Sequence, residues 1–309
     1  MSDPLYDVVI IGSGPAGLSA AIYATRAELN VLVVEKEVMS GGQILNTYEV
    51  DNYPGLPGIS GYDLGAKFKE HCDKLGVVSM EDEVTKLESK EQNKLVYLAS
   101  GKTISTKTII IATGARNRML GVPGEEELSG MGVSYCATCD GAFFKNKVVA
   151  VIGGGDVAVE DAIFLARICK KVYVIHRREE FRAAKTLSTC LSNLDNVEVL
   201  WNQKVTSIEG EDMVRAILLQ DTKTKEESQI PVDGVFIAVG TLPNSAIVSG
   251  IVELDPSGYI VADETCKTSV RGIFAAGDVR TKQLRQVVTA AADGANAISS
   301  IEDYIIQNK

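Results

Sequence analysis

The chain has 309 residues, of which 45% are hydrophobic and only 6% aromatic, and it contains 28 glycines. This length allows about two domains with substantial cores, and the composition is typical of α/β folds, which place glycine at strand-to-helix turns. The net charge of −10 argues against non-specific nucleic-acid binding, which needs clustered lysine and arginine.

The N-terminal segment argues against a signal peptide and a membrane anchor. No basic residue precedes its apolar run at residues 8–11, and that run is too short for either signal. We therefore expect a cytoplasmic protein with no membrane partner, in a compartment where lasting structural disulfides are rare. Four of the six cysteines are scattered singly, and we expect them to be buried apolar thiols: Cys72, Cys169, Cys190 and Cys266.

A strand, a glycine-rich turn and a helix are predicted at the start of the chain. Residues 6–11 are rich in β-branched side chains and predict a buried parallel strand, and Gly12-Ser13-Gly14-Pro15-Ala16-Gly17 follows without a gap. After the predicted helix, a second strand over residues 31–34 ends at Glu35, 18 residues beyond the turn. Such glycines let backbone N–H groups approach a pyrophosphate, and an acid at this spacing hydrogen-bonds ribose hydroxyls. A tight turn without a ligand does not account for Glu35.

The pattern between residues 40 and 114 is mixed. Residues 40–61 are dense in glycine and proline and predict a loop, whose position after the second strand favours cofactor contact. A helix is predicted over residues 62–74 and an antiparallel β-excursion over residues 75–100. Another buried strand, over residues 108–111, ends in Ala112-Thr113-Gly114.

Two cysteines are spaced Cys-x-x-Cys in Tyr135-Cys136-Ala137-Thr138-Cys139-Asp140-Gly141. A zinc site needs four ligands, and the chain has no second cysteine pair and only two distant histidines. Two unreactive core thiols are the second alternative, although the polar Thr138 and charged Asp140 fit a partly exposed site better. A redox pair is the favoured interpretation. Asp140 is then the candidate proton carrier, provided that burial raises its pKa.

A second nucleotide-binding pattern follows the cysteine pair. Residues 148–152 predict a strand, Gly153-Gly154-Gly155 the turn, and the next strand ends at His176, in the register that Glu35 has in the first pattern. Here the acid is replaced by His176-Arg177-Arg178, with Arg182 one turn later. Guanidinium groups bind a ribose 2′-phosphate that an acid would repel. The second cofactor is therefore expected to be NADP(H), the first a dinucleotide with a free 2′-hydroxyl. The alternative is that these arginines form a solvated helix entry.

The remaining pattern predicts the domain organisation. Residues 197–230 predict a second β-excursion, and two buried strands over residues 235–240 and 272–278 end similarly, the latter leading to an alanine-rich helix. The expected fold class is α/β, with two Rossmann-like dinucleotide-binding domains of the three-layer ββα type, the second inserted into the first. The expected boundaries are residues 1–116 and 245–309 for the first domain and residues 117–244 for the inserted one.

Seven motifs occur in an order that resembles one family. They are Gly12-Ser13-Gly14-Pro15-Ala16-Gly17, Gly41-Gly42-Gln43, Ala112-Thr113-Gly114, Cys136-Ala137-Thr138-Cys139-Asp140-Gly141, Gly153-Gly154-Gly155-Asp156, His176-Arg177-Arg178 and Gly277-Asp278-Val279. Essentially from end to end, this series closely resembles the bacterial-type, low-molecular-weight thioredoxin reductases. The resemblance implies a homodimeric, FAD-dependent oxidoreductase whose inserted NADPH domain carries a redox disulfide, with thioredoxin as its protein substrate.

The resemblance also implies the site residues. FAD contacts are expected from Gly12, Ser13, Gly14, Pro15, Ala16, Gly17, Glu35, Lys36, Gly41, Gly42, Gln43, Asn52, Val84, Ala112, Thr113, Gly114, Gly277, Asp278, Arg285, Gln286 and Val287. NADPH contacts are expected from Gly155, Asp156, Val157, His176, Arg177, Arg178 and Arg182. In the family pattern Cys139 faces the flavin, Cys136 attacks the partner disulfide and Asp140 handles protons. No metal is expected.

Neighbouring families are less compatible with the sequence. Larger flavin disulfide reductases carry their cysteine pair in the FAD domain and add a C-terminal domain, whereas this chain has no cysteine between Gly17 and Cys72 and is expected to be too short. A ferredoxin-fed relative should lack the arginine cluster. Because the disulfide and the nicotinamide site share one domain, we expect a domain rotation about hinges near residues 114–117 and 240–244. A reductase for another dithiol partner and an NADPH-sensing flavoprotein are the alternative functions.

Overall fold

The computed structural model describes residues 5–47, 49–90 and 93–308. Its helices and strands are, in chain order, β1 (Tyr6–Ile11), α1 (Pro15–Arg26), β2 (Val31–Glu35), α2 (Gly61–Lys74), β3 (Val78–Glu81), β4 (Val84–Ser89), β5 (Lys94–Leu98), β6 (Thr103–Ile111), β7 (Ala115–Asn117), β8 (Val133–Ser134), α3 (Ala137–Asp140), β9 (Val148–Gly153), α4 (Asp156–Ala166), β10 (Lys171–His176), α5 (Lys185–Ser192), β11 (Val197–Trp201), β12 (Gln203–Gly210), β13 (Val214–Asp221), β14 (Glu227–Pro231), β15 (Gly234–Ala238), β16 (Thr241–Pro243), β17 (Ile273–Ala275) and α6 (Val287–Gln307). Short 3-10 turns lie at Gly42–Asn46, Gly141–Phe144 and Ala246–Val248.

The chain divides into two compact units. Unit 1 comprises Met1–Arg116 and Leu242–Lys309, and unit 2 comprises Asn117–Thr241. Unit 2 is therefore a continuous segment inserted into unit 1. It ends at Thr241, three residues before the boundary at residue 244 that the sequence predicts. The strands β7 and β16 pair with each other at these two crossings.

Unit 1 is built on a seven-stranded sheet. Strands β3, β2, β1 and β6 lie side by side and parallel, and β17 adds a parallel partner to the end of β6. The start of β6 pairs antiparallel with β5, which pairs with β4. The expectation of an antiparallel excursion over residues 75–100 is thus wrong for β3. The helix α2 forms a crossover between β2 and β3, and the largely exposed, four-residue β3 gave no pattern of a buried parallel strand.

Alternate residues of the central strands of unit 1 support two different layers. Val8 and Ile10 of β1 join a core with α1 and α6, which includes Ala20 and Ile298. Val9 and Ile11 of β1 join a second core that includes residues of β4 and β5. Strands buried on both faces read as continuous apolar runs, which is why the sequence pattern identified them.

Unit 2 also combines a parallel sheet with antiparallel strands, but here the antiparallel strands form a sheet of their own. Strands β11, β10, β9, β15 and β8 form a five-stranded parallel sheet in that order, and β12, β13 and β14 form a separate antiparallel sheet. Val149 and Val151 of β9 pack against Leu165 of α4, whereas Ala150 joins a core with Ile217 of β13. The expected α/β fold class, with two Rossmann-like domains of three layers, is confirmed.

Two short helices of unit 2, α3 and α5, were not predicted from the sequence pattern. The helix α3 is a single turn, and the eight-residue α5 has too few apolar residues to establish a helical period. Across residues 5–47, 49–90 and 93–308, the structure has no helix that is long and apolar enough to cross a membrane.

Candidate active site: two glycine turns and a cysteine pair

In unit 1, four segments meet at the carboxyl edge of the parallel sheet. Because β1, β2, β6 and β17 are parallel, the residues that follow them lie on the same side, as in other open α/β sheets. The backbone N–H of Gly12 donates to Val34 O at 2.9 Å, and that of Ala112 donates to Ile11 O at 2.9 Å. The sheet therefore brings together the predicted turn, Glu35, Ala112-Thr113-Gly114 and Gly277-Asp278.

The first turn requires glycine at its entry. Gly12 has a φ of 106°, and a Cβ there would lie 2.5 Å from Ala112 O. Helix α1 then begins at Pro15, with Gly14 at its N-cap, no side-chain cap hydrogen bond and no acid in its first turn. The positive end of the helix dipole is thus available to an anion such as a pyrophosphate.

Glu35 is tied to this turn. Its Oε2 accepts hydrogen bonds from the Ser13 backbone N–H at 2.7 Å and from Ser13 Oγ at 2.8 Å, and its Oε1 accepts from Glu37 N–H at 3.1 Å. A carboxylate has about four acceptor positions, so one is left for a ribose hydroxyl. Glu35 therefore organises the turn and keeps one acceptor position that a ligand could use.

Asp278 supplies the test of whether a flavin cofactor fits. Its Oδ1 is buried and, among the residues that the structure describes, has no hydrogen-bond partner. Burial raises the pKa of this carboxyl, against the attraction of Lys282 and Arg285. Buried polar atoms are normally satisfied, so an unsatisfied one beside a dinucleotide turn fits a polar group of a bound ligand. The residues of unit 1 are compatible with FAD.

The other residues expected at FAD occupy three kinds of position. Gly41 donates its N–H to Ser13 O at 2.9 Å, which holds the Gly41-Gly42-Gln43 segment against the first turn. Asn52 Nδ2 donates to Gln286 Oε1 at 2.9 Å, so these two residues lie together near the start of α6. Val84, the first residue of β4, is buried in the second core of unit 1, and Lys36 is an exposed residue paired with Glu37. Hydrogen bonds therefore hold Gly41 at the first turn and join Asn52 to Gln286, whereas Val84 packs in the core.

In unit 2 the loop after β10 is fastened to the second glycine turn. Arg182 donates its backbone N–H to Gly154 O at 2.7 Å, and Asp156 Oδ1 accepts from Ala184 N–H at 2.7 Å. The side chains of Arg177 and Arg178, like that of Arg182, are exposed. The three guanidinium groups thus extend from a loop that the turn itself holds in place, an arrangement that suits a ribose 2′-phosphate.

His176 lies under the turn instead of beside the arginines. The residue is buried, its Nε2 is 2.9 Å from Glu180 O, and its ring packs against Phe181 and Trp201. A Cβ on Gly154 would lie 2.2 Å from the imidazole, and burial lowers the pKa of His176. The imidazole therefore supports the turn. The sequence pattern did not predict the contacts of Phe181 and Trp201 with His176, although Trp201 is the single tryptophan of the chain.

The cysteine pair forms a disulfide at the same edge of unit 2. Cys136 and Cys139 are bonded, with their Cα atoms 5.3 Å apart, and one residue, Tyr135, separates Cys136 from the end of β8. The strand order places β15 between β8 and β9, so two strand spacings, about 10 Å, separate the strand before the disulfide from the strand before the glycine turn. Gly141 allows α3 to approach α4, because a Cβ there would lie 3.0 Å from Phe164.

Asp140 is positioned by a residue that the sequence pattern did not select. Burial raises the pKa of Asp140, and a hydrogen bond from Ser134 opposes the rise. Ser134 Oγ lies 2.5 Å from Asp140 Oδ2. On the other side, Tyr135 donates its hydroxyl to the buried Glu125 at 2.8 Å. The segment before the cysteines is thus fixed on two sides.

The remaining cysteines differ in exposure. Cys72, Cys169 and Cys266 are buried, and burial raises the pKa values of their thiols to about 11, 11 and 12. Cys190 on α5 is exposed, which corrects the expectation that all four are buried. In α5 only Leu191 is fully buried, so Cys190 lies on a side of this helix that is open to solvent. Among the described residues, no group of three or more His, Cys, Asp or Glu side chains could hold a metal ion.

Comparison with known proteins extends over nearly the whole chain. Residues 6–294 match the family described as pyridine nucleotide-disulphide oxidoreductase. The chain is 44% identical to the thioredoxin reductase of Bacillus subtilis (strain 168) over 304 residues, which covers 98% of this chain and 96% of the relative.

Two solved structures are similar over the same extent. The thioredoxin reductase of Streptococcus pyogenes MGAS5005 matches with a TM-score of 0.94 at 44% identity, over 99% of this chain and 100% of that one. The Lactococcus lactis thioredoxin reductase, in a structure titled FR conformation, matches with a TM-score of 0.68 at 41% identity, over 98% and 99%. These similarities confirm the family resemblance of the seven motifs.

Proposed function

The chain belongs to the pyridine nucleotide-disulphide oxidoreductase family, and we propose that it is an NADPH-dependent thioredoxin-disulfide reductase that uses FAD. The observation that carries this proposal is the Cys136–Cys139 disulfide at the edge of unit 2 where the arginine-flanked glycine turn also lies. The full-length similarity to thioredoxin reductases supports it.

Unit 1 is the proposed FAD-binding domain. The N-terminus of α1 would hold the pyrophosphate, Glu35 a ribose hydroxyl, and the unsatisfied Oδ1 of Asp278 a further polar group of the cofactor. When bound, FAD accepts a hydride from NADPH and passes two electrons to a disulfide. The residues of this chain orient the cofactor and fix the length and polarity of its site.

Unit 2 is the proposed NADPH-binding domain. Arg177, Arg178 and Arg182 would bind the 2′-phosphate, and the turn at Gly155 and Asp156 would approach the pyrophosphate. No acid occupies the position that Glu35 has in unit 1, so repulsion of the phosphate is avoided.

The disulfide exchange uses only this chain and thioredoxin. In the reduced pair, the Cys136 thiolate forms a bond to one sulfur of the thioredoxin disulfide, whose S–S bond breaks, and the departing thiolate takes a proton from Asp140. The Cys139 thiol then gives its proton to the now ionised Asp140 and attacks the Cys136 sulfur, which re-forms the Cys136–Cys139 disulfide and breaks the bond to thioredoxin. The second thioredoxin sulfur leaves as a thiolate and takes that proton from Asp140. Two electrons and two protons are thereby transferred to thioredoxin.

The disulfide and the NADPH-binding turn share unit 2, so we propose that they reach the flavin alternately. The disulfide and the NADPH turn belong to unit 2 and both need the flavin held by unit 1, so they are proposed to take turns by rotation about residues 114–117 and 240–244. Two relatives of similar identity match this chain with TM-scores of 0.94 and 0.68, which supports more than one arrangement in the family. Cross-linking the two units in one orientation should stop turnover, and full activity after cross-linking would refute the rotation.

The expected assembly and location complete the proposal. We infer a cytoplasmic homodimer that acts on thioredoxin, with neither nucleic acid nor membrane as a partner, from the family and from the net charge of −10. Light scattering of the purified protein tests the dimer directly.

The proposed function is tested by following NADPH oxidation with and without thioredoxin. Wild-type protein should oxidise NADPH continuously only when thioredoxin is present, and Cys136→Ser should abolish this activity while it retains FAD. Cys190→Ser is the matched control, since this exposed thiol lies outside the site and its loss should leave the rate unchanged. Turnover with a small disulfide dye but not with thioredoxin would instead indicate another dithiol partner.

A further inference from the structure

Ser134 connects the acid to the cysteine pair. It is the last residue of β8 and is 5% exposed. Its Oγ donates to Asp140 Oδ2 at 2.5 Å, accepts the Cys136 backbone N–H at 3.1 Å and lies 3.4 Å from Cys136 O. One buried hydroxyl therefore contacts both the carboxyl and the backbone of the first cysteine.

We propose that Ser134 is the positioning residue of proton transfer: it holds Asp140 toward the cysteine pair and keeps the carboxyl hydrogen-bonded in both of its protonation states. This inference rests on the proposed function, because it concerns the proton that accompanies thioredoxin reduction. Ser134 acts through Asp140 and has no direct part in bond making.

The hydroxyl can serve both states because it donates one hydrogen and accepts others. When Asp140 is ionised, Ser134 donates to it, as the 2.5 Å distance indicates. When Asp140 is protonated, the carboxyl donates to Ser134 Oγ, and the serine hydrogen turns to Cys136 O at 3.4 Å. Only a threonine would preserve this exchange in the same position.

Removing the Ser134 hydroxyl should change the pKa of Asp140 in one direction. In Ser134→Ala the ionised carboxylate, which is still largely buried, loses its donor, so the pKa of Asp140 rises further. A weaker acid donates its proton less readily to the departing thiolate. Because the reaction uses protonated Asp140, the alkaline fall in activity should move to higher pH, while the maximal rate declines.

Other charged groups lie on the elements around Asp140. The helix α4, which packs against α3, carries Asp156, Glu160 and Asp161, and Arg167 follows its last residue. Tyr135 with Glu125 flanks β8, and Lys145 follows the 3-10 turn. Burial and Ser134 are the two causes of the Asp140 shift, and none of these charges is among them. Burial and Glu160 raise the pKa of Asp161 to about 7, so this neighbouring carboxyl needs its own control.

The experiment compares the two half-reactions in Ser134→Ala, Ser134→Thr and Asp161→Asn. In stopped-flow, reduction of the flavin by NADPH should be the same in all of them. Reoxidation by thioredoxin should slow about tenfold in Ser134→Ala, with its alkaline midpoint raised, since a hydrogen bond to a charged group is worth at least one order of magnitude. Ser134→Thr should recover most of the rate, and Asp161→Asn should keep the wild-type midpoint.

Infrared spectra across pH provide a readout that does not depend on turnover. The band of the protonated carboxyl, assigned by its absence in Asp140→Asn, should persist to higher pH in Ser134→Ala than in wild type or Ser134→Thr. An unchanged band and an unchanged midpoint would overturn the inference, as would an equal loss of flavin reduction in Ser134→Ala. If wild-type protein fails to reduce thioredoxin, the proposed function is wrong, whereas the infrared result still decides the Ser134–Asp140 interaction.

Discussion

The two glycine turns occupy the same register and use opposite chemistry. In unit 1, Ser13 donates two hydrogen bonds to Glu35, the acid at the end of β2. In unit 2 the corresponding positions are Gly154 and His176, and the imidazole fills the space that a side chain at Gly154 would need. The last residue of the second strand is therefore a proposed cofactor contact in unit 1, whereas in unit 2 its side chain packs under the turn.

The comparison of Glu35 with His176 distinguishes two roles of a side chain at this position: holding the glycine turn in place and, in the proposed function, selecting the cofactor. Glu35 holds the turn with its carboxylate, and its remaining acceptor position is proposed to bind a ribose hydroxyl of the cofactor. In unit 2 the buried His176 supports the turn, and the exposed Arg177 and Arg178 that follow it are proposed to select the cofactor. A phosphate site can thus be added to this fold without disturbing the turn, provided that the second residue of the turn is glycine.

The largest effect is expected from Gly154→Ser, which gives the second turn the residue of the first. A Cβ at this position would lie 2.2 Å from the His176 ring, so the ring and the arginine loop must shift. Overpacking costs about 1–3 kcal/mol, and displaced charged contacts add about 1.5–3 kcal/mol each. The dissociation constant for NADPH, measured by calorimetry, should rise about 100-fold while the FAD content is unchanged.

Two further variants sharpen this prediction. Adding His176→Ala to Gly154→Ser removes the clash and should restore part of the NADPH affinity. The reciprocal Ser13→Gly loses only the Oγ hydrogen bond to Glu35 and should lower FAD affinity by about threefold to tenfold. Wild-type NADPH affinity in Gly154→Ser would show that the imidazole is not needed beneath the turn.

An intermediate effect is expected from removing the arginines. Arg177→Ala and Arg178→Ala should each lower kcat/KM for NADPH about tenfold, because a charge-assisted contact to the 2′-phosphate is lost, and leave kcat/KM for NADH almost unchanged. Arg215→Ala is a matched control, since this exposed arginine of unit 2 pairs only loosely with Glu211 at 3.8 Å. An unaltered preference in both arginine variants would place the 2′-phosphate elsewhere.

How far the sequence predicts this molecule can be judged from the same turns. The strands β1 and β9 and their turns follow from apolar runs and glycine spacing, because these strands are buried on both faces. The sequence also shows that the side-chain charge at the end of β2, from Glu35, is opposite to that of Arg177 and Arg178 after β10. His176 was expected among the cofactor contacts, but its burial under Gly154 depends on Phe181 and Trp201, which are distant or unpatterned in sequence.

The site around the cysteine pair shows a similar limit. The Cys-x-x-Cys spacing indicated a redox pair, and the disulfide in the structure agrees with it. The partner of Asp140 was not predictable, since a lone serine at the end of a two-residue strand gives no periodic signal. The same holds for Glu125, which accepts a hydrogen bond from the hydroxyl of Tyr135, ten positions later in the sequence.

The smallest effect is expected from Glu35→Gln in the first turn. The amide keeps one acceptor oxygen, so the bonds to Ser13 are weakened but not abolished. FAD affinity, measured as the release of flavin fluorescence on dilution, should fall about tenfold or less, without a change in the preference for NADPH over NADH. Glu37→Gln, an exposed neighbour, should have no effect on FAD.

The most direct measurement is thiol trapping after limited reduction. The anaerobic protein receives NADPH or the same low concentration of NADH, is quenched with an alkylating reagent, and its labelled cysteines are mapped by mass spectrometry. Cys190 should be labelled in every sample and the buried thiols in none, while Cys136 and Cys139 should be labelled after NADPH and far less after NADH. Bleaching of the flavin by NADPH without labelling of Cys136 and Cys139 would contradict the proposed electron path.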